Sequence, residues 1–224
     1  MNHPLFPSRF ASAALVVGGF LCLAGFFGRP VAIDKSFSVN DIVAIGATPG
    51  MWVTTFRMLV FGLFVRLAGL VALATFARSS GAKSLVIPGV AIGSAGLLVS
   101  AMAQGYYMDI ALHGVWRFTQ ETSVTGRETI LASWLATDEW ASCLGRMGSM
   151  FLGLGTAIMA IGLRDELARW QTWSIGALAF GTMMGIFLAP GFRPVEVSTF
   201  VALIVAHGVL GMAVARRGSL NPET

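Results

Sequence analysis

Acidic side chains are scarce in this chain. Eleven Asp and Glu occur among 224 residues, and none lies in the middle of an apolar run. Charged residues of both signs make up 12% of the sequence, against about 25% in an ordinary soluble domain. Cysteine is almost missing. Cys22 and Cys143 fall in different apolar segments at different depths, which argues against a disulfide between them and leaves the redox compartment unread. There is no CxxC, HExxH, glycine-rich phosphate loop or Ser-His-Asp arrangement, so no motif-borne catalytic chemistry is indicated. Basic residues sit singly at segment ends, without the basic, aromatic-interleaved patch that nucleic acid requires. An internal repeat is also lacking. The long connections of the two halves differ in length and composition, which disfavours an inverted-repeat transporter.

What the chain does have is apolar length. Hydrophobic residues make up 55% of it, and six runs are long enough to cross a bilayer: 10–28, 52–77, 85–107, 140–163, 173–189 and 195–215. The expected fold is all-α, one six-span transmembrane bundle over 1–224. Its 27 glycines suit closely packed membrane helices. The first run follows Arg9 and leaves through Gly28-Arg29-Pro30 without an A-x-A-like cleavage site, so it reads as a retained helix. With the N-terminus inside, Arg9, Arg78, Lys83, Arg164, Arg169, Arg216 and Arg217 gather on the cytoplasmic face. The opposite face then holds Arg29, Lys35, Arg117, Arg127 and Arg193 with eight of the eleven acids. That bias places both termini in the cytoplasm and the long connections outside.

The connections on the inner side are short, whereas 29–51 and 108–139 carry most of the remaining chain. Ser38 and Asp41 form a helix-start signal, and Thr125 with Glu128 has the spacing of a capping box. Ile130, Leu131, Trp134 and Leu135 then share one face of a short amphipathic helix, expected on the outer surface between helices 3 and 4.

Two arginines stand nine residues apart in the second run, FRMLVFGLFVRLAG. Arg57 lies near the outer end and is expected to reach the interface. Arg66 points the opposite way, toward the Gly62 and Gly69 face, and lies about 13 Å deeper. No carboxylate lies at its depth. Hydroxyls, carbonyls, water, a partner subunit or an oxygen-bearing ligand must answer it, and an ionisable group at this depth marks a candidate binding site. Arg146 shares a small, polar face with Ser142, Ser149 and Gly153 and is expected to pair with Asp109 or Glu139.

His113 and His207 each precede glycine. Their depths differ too much for both to hold one haem iron. His207 alone offers an axial ligand for haem or bacteriochlorophyll, although a hydrogen bond to another helix is the simpler role. His207 and Arg66 come out at similar depths, so they are expected to line one polar pocket. Asp138 and Glu139 beside Trp140 read as an interfacial cap. The pairs Gly89–Gly93 and Gly181–Gly185 read as packing motifs, and the methionines as packing without metal ligation.

The Phe56-Arg57 start of helix 2 and the glycine-rich stretch GSMFLGLGTAIMAIGLRD running toward Trp170 resemble small bacterial six-helix membrane proteins of a domain-of-unknown-function family. The resemblance implies a bacterial inner-membrane protein and supplies no activity. The residues themselves point to a non-enzymatic protein, an accessory subunit of a larger membrane complex or a binder of a lipid-like ligand. A small-solute transporter or channel is the first alternative, and a haem- or pigment-binding electron-transfer subunit using His207 the second. Expected partners are membrane lipids and other membrane subunits.

Overall fold

The computed structural model describes residues 5–29, 39–76 and 80–220; Ser38, Lys35 and Arg78, used above for a helix start and for charge bias, lie outside them. Among the described residues every regular element is helical. The helices are α1 (Leu5–Phe27), α2 (Val39–Ala47), α3 (Pro49–Leu73), α4 (Ser80–Asp109), α5 (Val115–Gln120), α6 (Val124–Gly162), α7 (Arg169–Leu188) and α8 (Arg193–Leu220). Six of them, α1, α3, α4, α6, α7 and α8, are long and apolar enough to cross a membrane. Their outward faces carry bare aromatics such as Phe20, Phe61, Phe180 and Phe187. Exposed tryptophans mark both ends, Trp116 and Trp140 at one and Trp170 and Trp173 at the other, as at the two interfaces of a bilayer.

The six helices close into a ring in chain order, α1 against α3, α3 against α4, α4 against α6, α6 against α7, α7 against α8 and α8 back against α1. Two of these seams are set by glycines seven residues apart, close to two helical turns and so on one face. In α1 and α3 they are Gly18, Gly25, Gly62 and Gly69; in α4 and α6 they are Gly89, Gly96, Gly148 and Gly155. A Cβ on Gly62 would stand 2.8 Å from the Gly18 carbonyl oxygen, and one on Gly96 would stand 2.5 Å from that of Gly148. The backbones touch because no side chain intervenes. Of the expected packing pairs, Gly89 and Gly93 both lie in the α4–α6 seam, whereas a Cβ on Gly181 would meet nothing within 4 Å. Gly181 faces away from the packing and does not form a motif with Gly185.

One end of the ring carries the long connections. There α2 turns Ile42 and Ile45 inward against α3 and α5. The α4 helix runs on through a π-helical turn, Ile110–Gly114, into α5. The expected separate helix at 130–135 is instead the beginning of α6. Its 39 residues span about 58 Å, well beyond a hydrocarbon layer of about 30 Å. Nothing between Thr125 and Trp140 breaks a helix, and the amphipathic face packs on the α4–α5 end. Trp134 lies against Gly114, its ring centroid is 6.1 Å from that of Phe118, and its carbonyl accepts from the Tyr106 hydroxyl at 3.1 Å.

The cap of α6 also differs from the expected Thr125–Glu128 pair. Ser123, with extended backbone, accepts from the Gly126 amide at 3.0 Å. Its own amide and hydroxyl donate to Glu121 at 2.9 and 2.8 Å, which holds that carboxyl below its ordinary value. Ser123→Ala should cost about 1 kcal/mol of local stability, read as faster hydrogen exchange at the Gly126 amide; unchanged protection there would refute the cap.

Candidate functional site

Packing small residues on two seams leaves space where the polar stripes of α4 and α6 face inward. On α6 the stripe is Asp138, Ser142, Gly145, Arg146 and Ser149; on α4 it is Ser100, Gln104 and Tyr107. Both follow helical spacing. Together with Arg29, just beyond α1, and Glu196 of α8 they line a cavity of about 150 Å³ that runs from the loop-rich end down to Arg66. Leu59, Leu63, Phe200 and Leu203 supply apolar wall. Three guanidinium groups (Arg29, Arg66, Arg146) face two carboxylates (Asp138, Glu196) across this lining, so the described residues give it an excess of one positive charge.

Arg66 forms the floor and is 1% exposed. Gly18 makes room for its stem, since a Cβ there would stand 2.7 Å from Arg66 Cγ. Its Nη2 donates to His207 Nδ1 at 2.8 Å and to the Leu203 carbonyl at 3.4 Å. The other nitrogen of His207 lies 2.9 Å from Thr156 Oγ1, and that hydroxyl donates to the Leu152 carbonyl at 2.6 Å. These roles are consistent in one way only: Nδ1 accepts, Nε2 carries the proton and donates to Thr156. Arg66 Nε has no hydrogen-bond partner. The Cys22 thiol stands beside the guanidinium and donates to the Leu59 carbonyl at 3.8 Å. Among the described residues Arg66 thus has an imidazole, a carbonyl and a thiol around it, and no carboxylate.

Higher in the cavity, Arg146 Nη1 lies 3.6 Å from Glu196 Oε1. The expected partners, Asp109 and Glu139, are not used. Counting depth along a helix ranks the acids near Arg146, but only the closure of the ring brings the start of α8 beside α6. Asp138 also departs from its expected role. It is 7% exposed and accepts from the Tyr107 hydroxyl at 2.8 Å, so it faces the cavity while Glu139 faces out. The signal was present: Asp138 stands one turn before Ser142 on the stripe that already held Arg146.

The remaining candidates separate cleanly. Arg57 is exposed. His113 lies in the π-helical turn, exposed, with Nδ1 at 2.6 Å from Asp109 Oδ1. It lines a different groove with Tyr106, Arg117 and Trp134. At His207 both ring nitrogens are engaged and the residue is fully buried, so haem or bacteriochlorophyll would have to displace Arg66 or Thr156. Among the described residues no three His, Cys, Asp or Glu side chains come together as a metal cage.

Compared with family models, curated proteins and solved structures, the chain has no match. The functional reading therefore rests on the geometry of this cavity.

Proposed function

We propose that this is a non-enzymatic membrane protein that binds a small ligand bearing an anionic or carbonyl oxygen, with an apolar, lipid-like body, in the cavity above Arg66. The observation that carries the reading is the floor itself. A guanidinium deep in the membrane costs roughly 2.5 to 17 kcal/mol, yet Arg66 Nε, itself closed off from solvent, has no hydrogen-bond partner, while the residue forms part of the cavity lining. An oxygen arriving from the loop-rich end would complete it once the guanidinium turns toward the cavity. The mixed lining suits such a ligand, with polar groups to orient the head and apolar wall for the body. An accessory subunit of a larger complex would have to reach Arg66 through a closed ring, which favours a small ligand over a protein partner. We place the loop-rich end on the outer face of a bacterial inner membrane, following the charge bias of the connections. Transport is the second reading, supported by a charged site at mid-depth that opens toward one end.

Gly145 lines the cavity, and a Cβ there would meet nothing within 4 Å. Gly145→Leu should therefore fill the space without disturbing a hydrogen bond. Native mass spectrometry of gently extracted wild-type protein should show a released non-protein mass, and Gly145→Leu should carry at least about tenfold less of it, a loss worth 1.4 kcal/mol or more. Wild-type protein without any adduct, or equal retention in the variant, would overturn the reading. If the ligand is identified, its flux into liposomes containing the protein separates transport from binding.

A further inference from the structure

Two carboxylates line the cavity, and they are not in equivalent positions. Asp138 is held by the Tyr107 hydroxyl at 2.8 Å. Glu196, in the first turn of α8, faces Arg146 across the cavity at 3.6 Å, with the two side chains 25% and 29% exposed. A charge-assisted hydrogen bond closes to about 2.7–2.9 Å, so this pair is loose and accessible. Leu203, whose carbonyl accepts from Arg66, follows Glu196 by seven residues, about 10 Å along the helix. An anion moving inward therefore meets the Arg146–Glu196 pair before it reaches the floor.

We propose that Glu196 is an internal competitor for the cavity's ligand: it shares Arg146 in this structure, and a small carboxylate or phosphate takes its place on that guanidinium. This inference rests on the reading of the cavity as a ligand site and assigns the class of the ligand's head as an oxoanion. Of Arg146 and Arg66, an entering anion meets Arg146 first. Glu196 sets the threshold, because a ligand must carry enough negative charge to displace it. A neutral carbonyl compound has no such advantage and is selected against. The turn between α7 and α8 closes over the same pair. Gly191 takes φ +80° and a Cβ on it would lie 3.5 Å from Arg146 Nη1, so this turn borders the same guanidinium.

The test uses the full chain in detergent, with benzoate and inorganic phosphate titrated by calorimetry. In parallel, native mass spectrometry scores phosphatidic acid bound from nanodiscs of otherwise zwitterionic lipid. Glu196→Gln keeps the side chain's shape and removes its charge; it should tighten binding of the accepted anion on the order of tenfold. Arg146→Gln should weaken it by a similar factor, and Gly145→Leu should abolish it, which marks the binding as lying in the cavity. Tightening for the soluble anions alone identifies a free solute, and tightening for phosphatidic acid alone identifies a lipid head. Equal or weaker binding to Glu196→Gln removes the competitor and leaves the cavity reading standing. Absence of binding to both the wild-type protein and Glu196→Gln, each with an intact melting transition, overturns the oxoanion class. An uncharged amide such as benzamide binding as tightly as benzoate would also overturn it.

Discussion

His207→Phe should destabilise the folded bundle by about 3–5 kcal/mol, the cost of removing one partner from a buried charge. A single interhelical hydrogen bond within a membrane contributes only about 0.6 kcal/mol on average, so the lost bond is the smaller part. The larger part is what remains: Arg66, 1% exposed, with only the 3.4 Å contact to Leu203 and a thiol beside it. Phenylalanine fills the imidazole's place, so little of the effect comes from a cavity. The double variant Arg66→Met, His207→Phe provides the control. It removes the charge together with its partner and should recover most of the loss, because replacing a buried polar pair by apolar groups of similar volume is often near neutral. Unfolding by denaturing detergent, run on both single variants and the double, gives the coupling energy directly. A single variant costing under about 1 kcal/mol would mean that the guanidinium has another acceptor and that the floor is misassigned.

Gly155→Ala should be among the most damaging single-methyl changes available in this chain. The new Cβ would stand 2.5 Å from the Gly89 carbonyl oxygen and 2.7 Å from Gly93 Cα. Those are backbone atoms of the facing helix, and they cannot rotate aside as a side-chain tip would. Relief requires α4 and α6 to separate along the whole seam, which also loosens Gly96 against Gly148. Overpacking of this kind costs about 1–3 kcal/mol, and a cost at or above the upper end is expected here. Gly181→Ala makes the same chemical change into open space and should fall within about 0.5 kcal/mol of wild type. The contrast between the two, read as melting temperatures in one detergent, is what the seam predicts. Equal effects would show that α4 and α6 do not meet through bare backbone.

The spans were legible because about twenty consecutive apolar residues, wound as a helix, match the thickness of a bilayer's hydrocarbon core. The start of α6 was not, since its first turns are amphipathic and the pattern changes before the helix does; only packing on α5 shows that Trp134 belongs to the same rod as Arg146. Depth along each helix was legible from the rise per residue. That is why Arg66 and His207 were expected at one level, where the structure brings them to 2.8 Å. Lateral neighbours were not legible. Nothing in the periodicity of α6 says that α8 stands beside it, so depth alone ranks Asp109 and Glu139 ahead of Glu196 as partners for Arg146. The glycine seams were partly legible, through the Gly62 and Gly69 face and the Gly89–Gly93 pair. The spacing of four holds for Gly89 and Gly93 but fails at Gly181, which packs on nothing, whereas the spacing of seven runs through both tight seams.

The central claim is that Arg66 is completed by a group this chain does not supply. An experimental density map of the protein in lipid nanodiscs, inspected at Arg66 Nε, tests it most directly. The expected result is non-protein density in the cavity, continuing toward Arg146, with the guanidinium turned so that an oxygen lies about 3 Å from that nitrogen. A carboxylate of the chain itself bonded to Arg66, or apolar side chains closed over it, would contradict the claim.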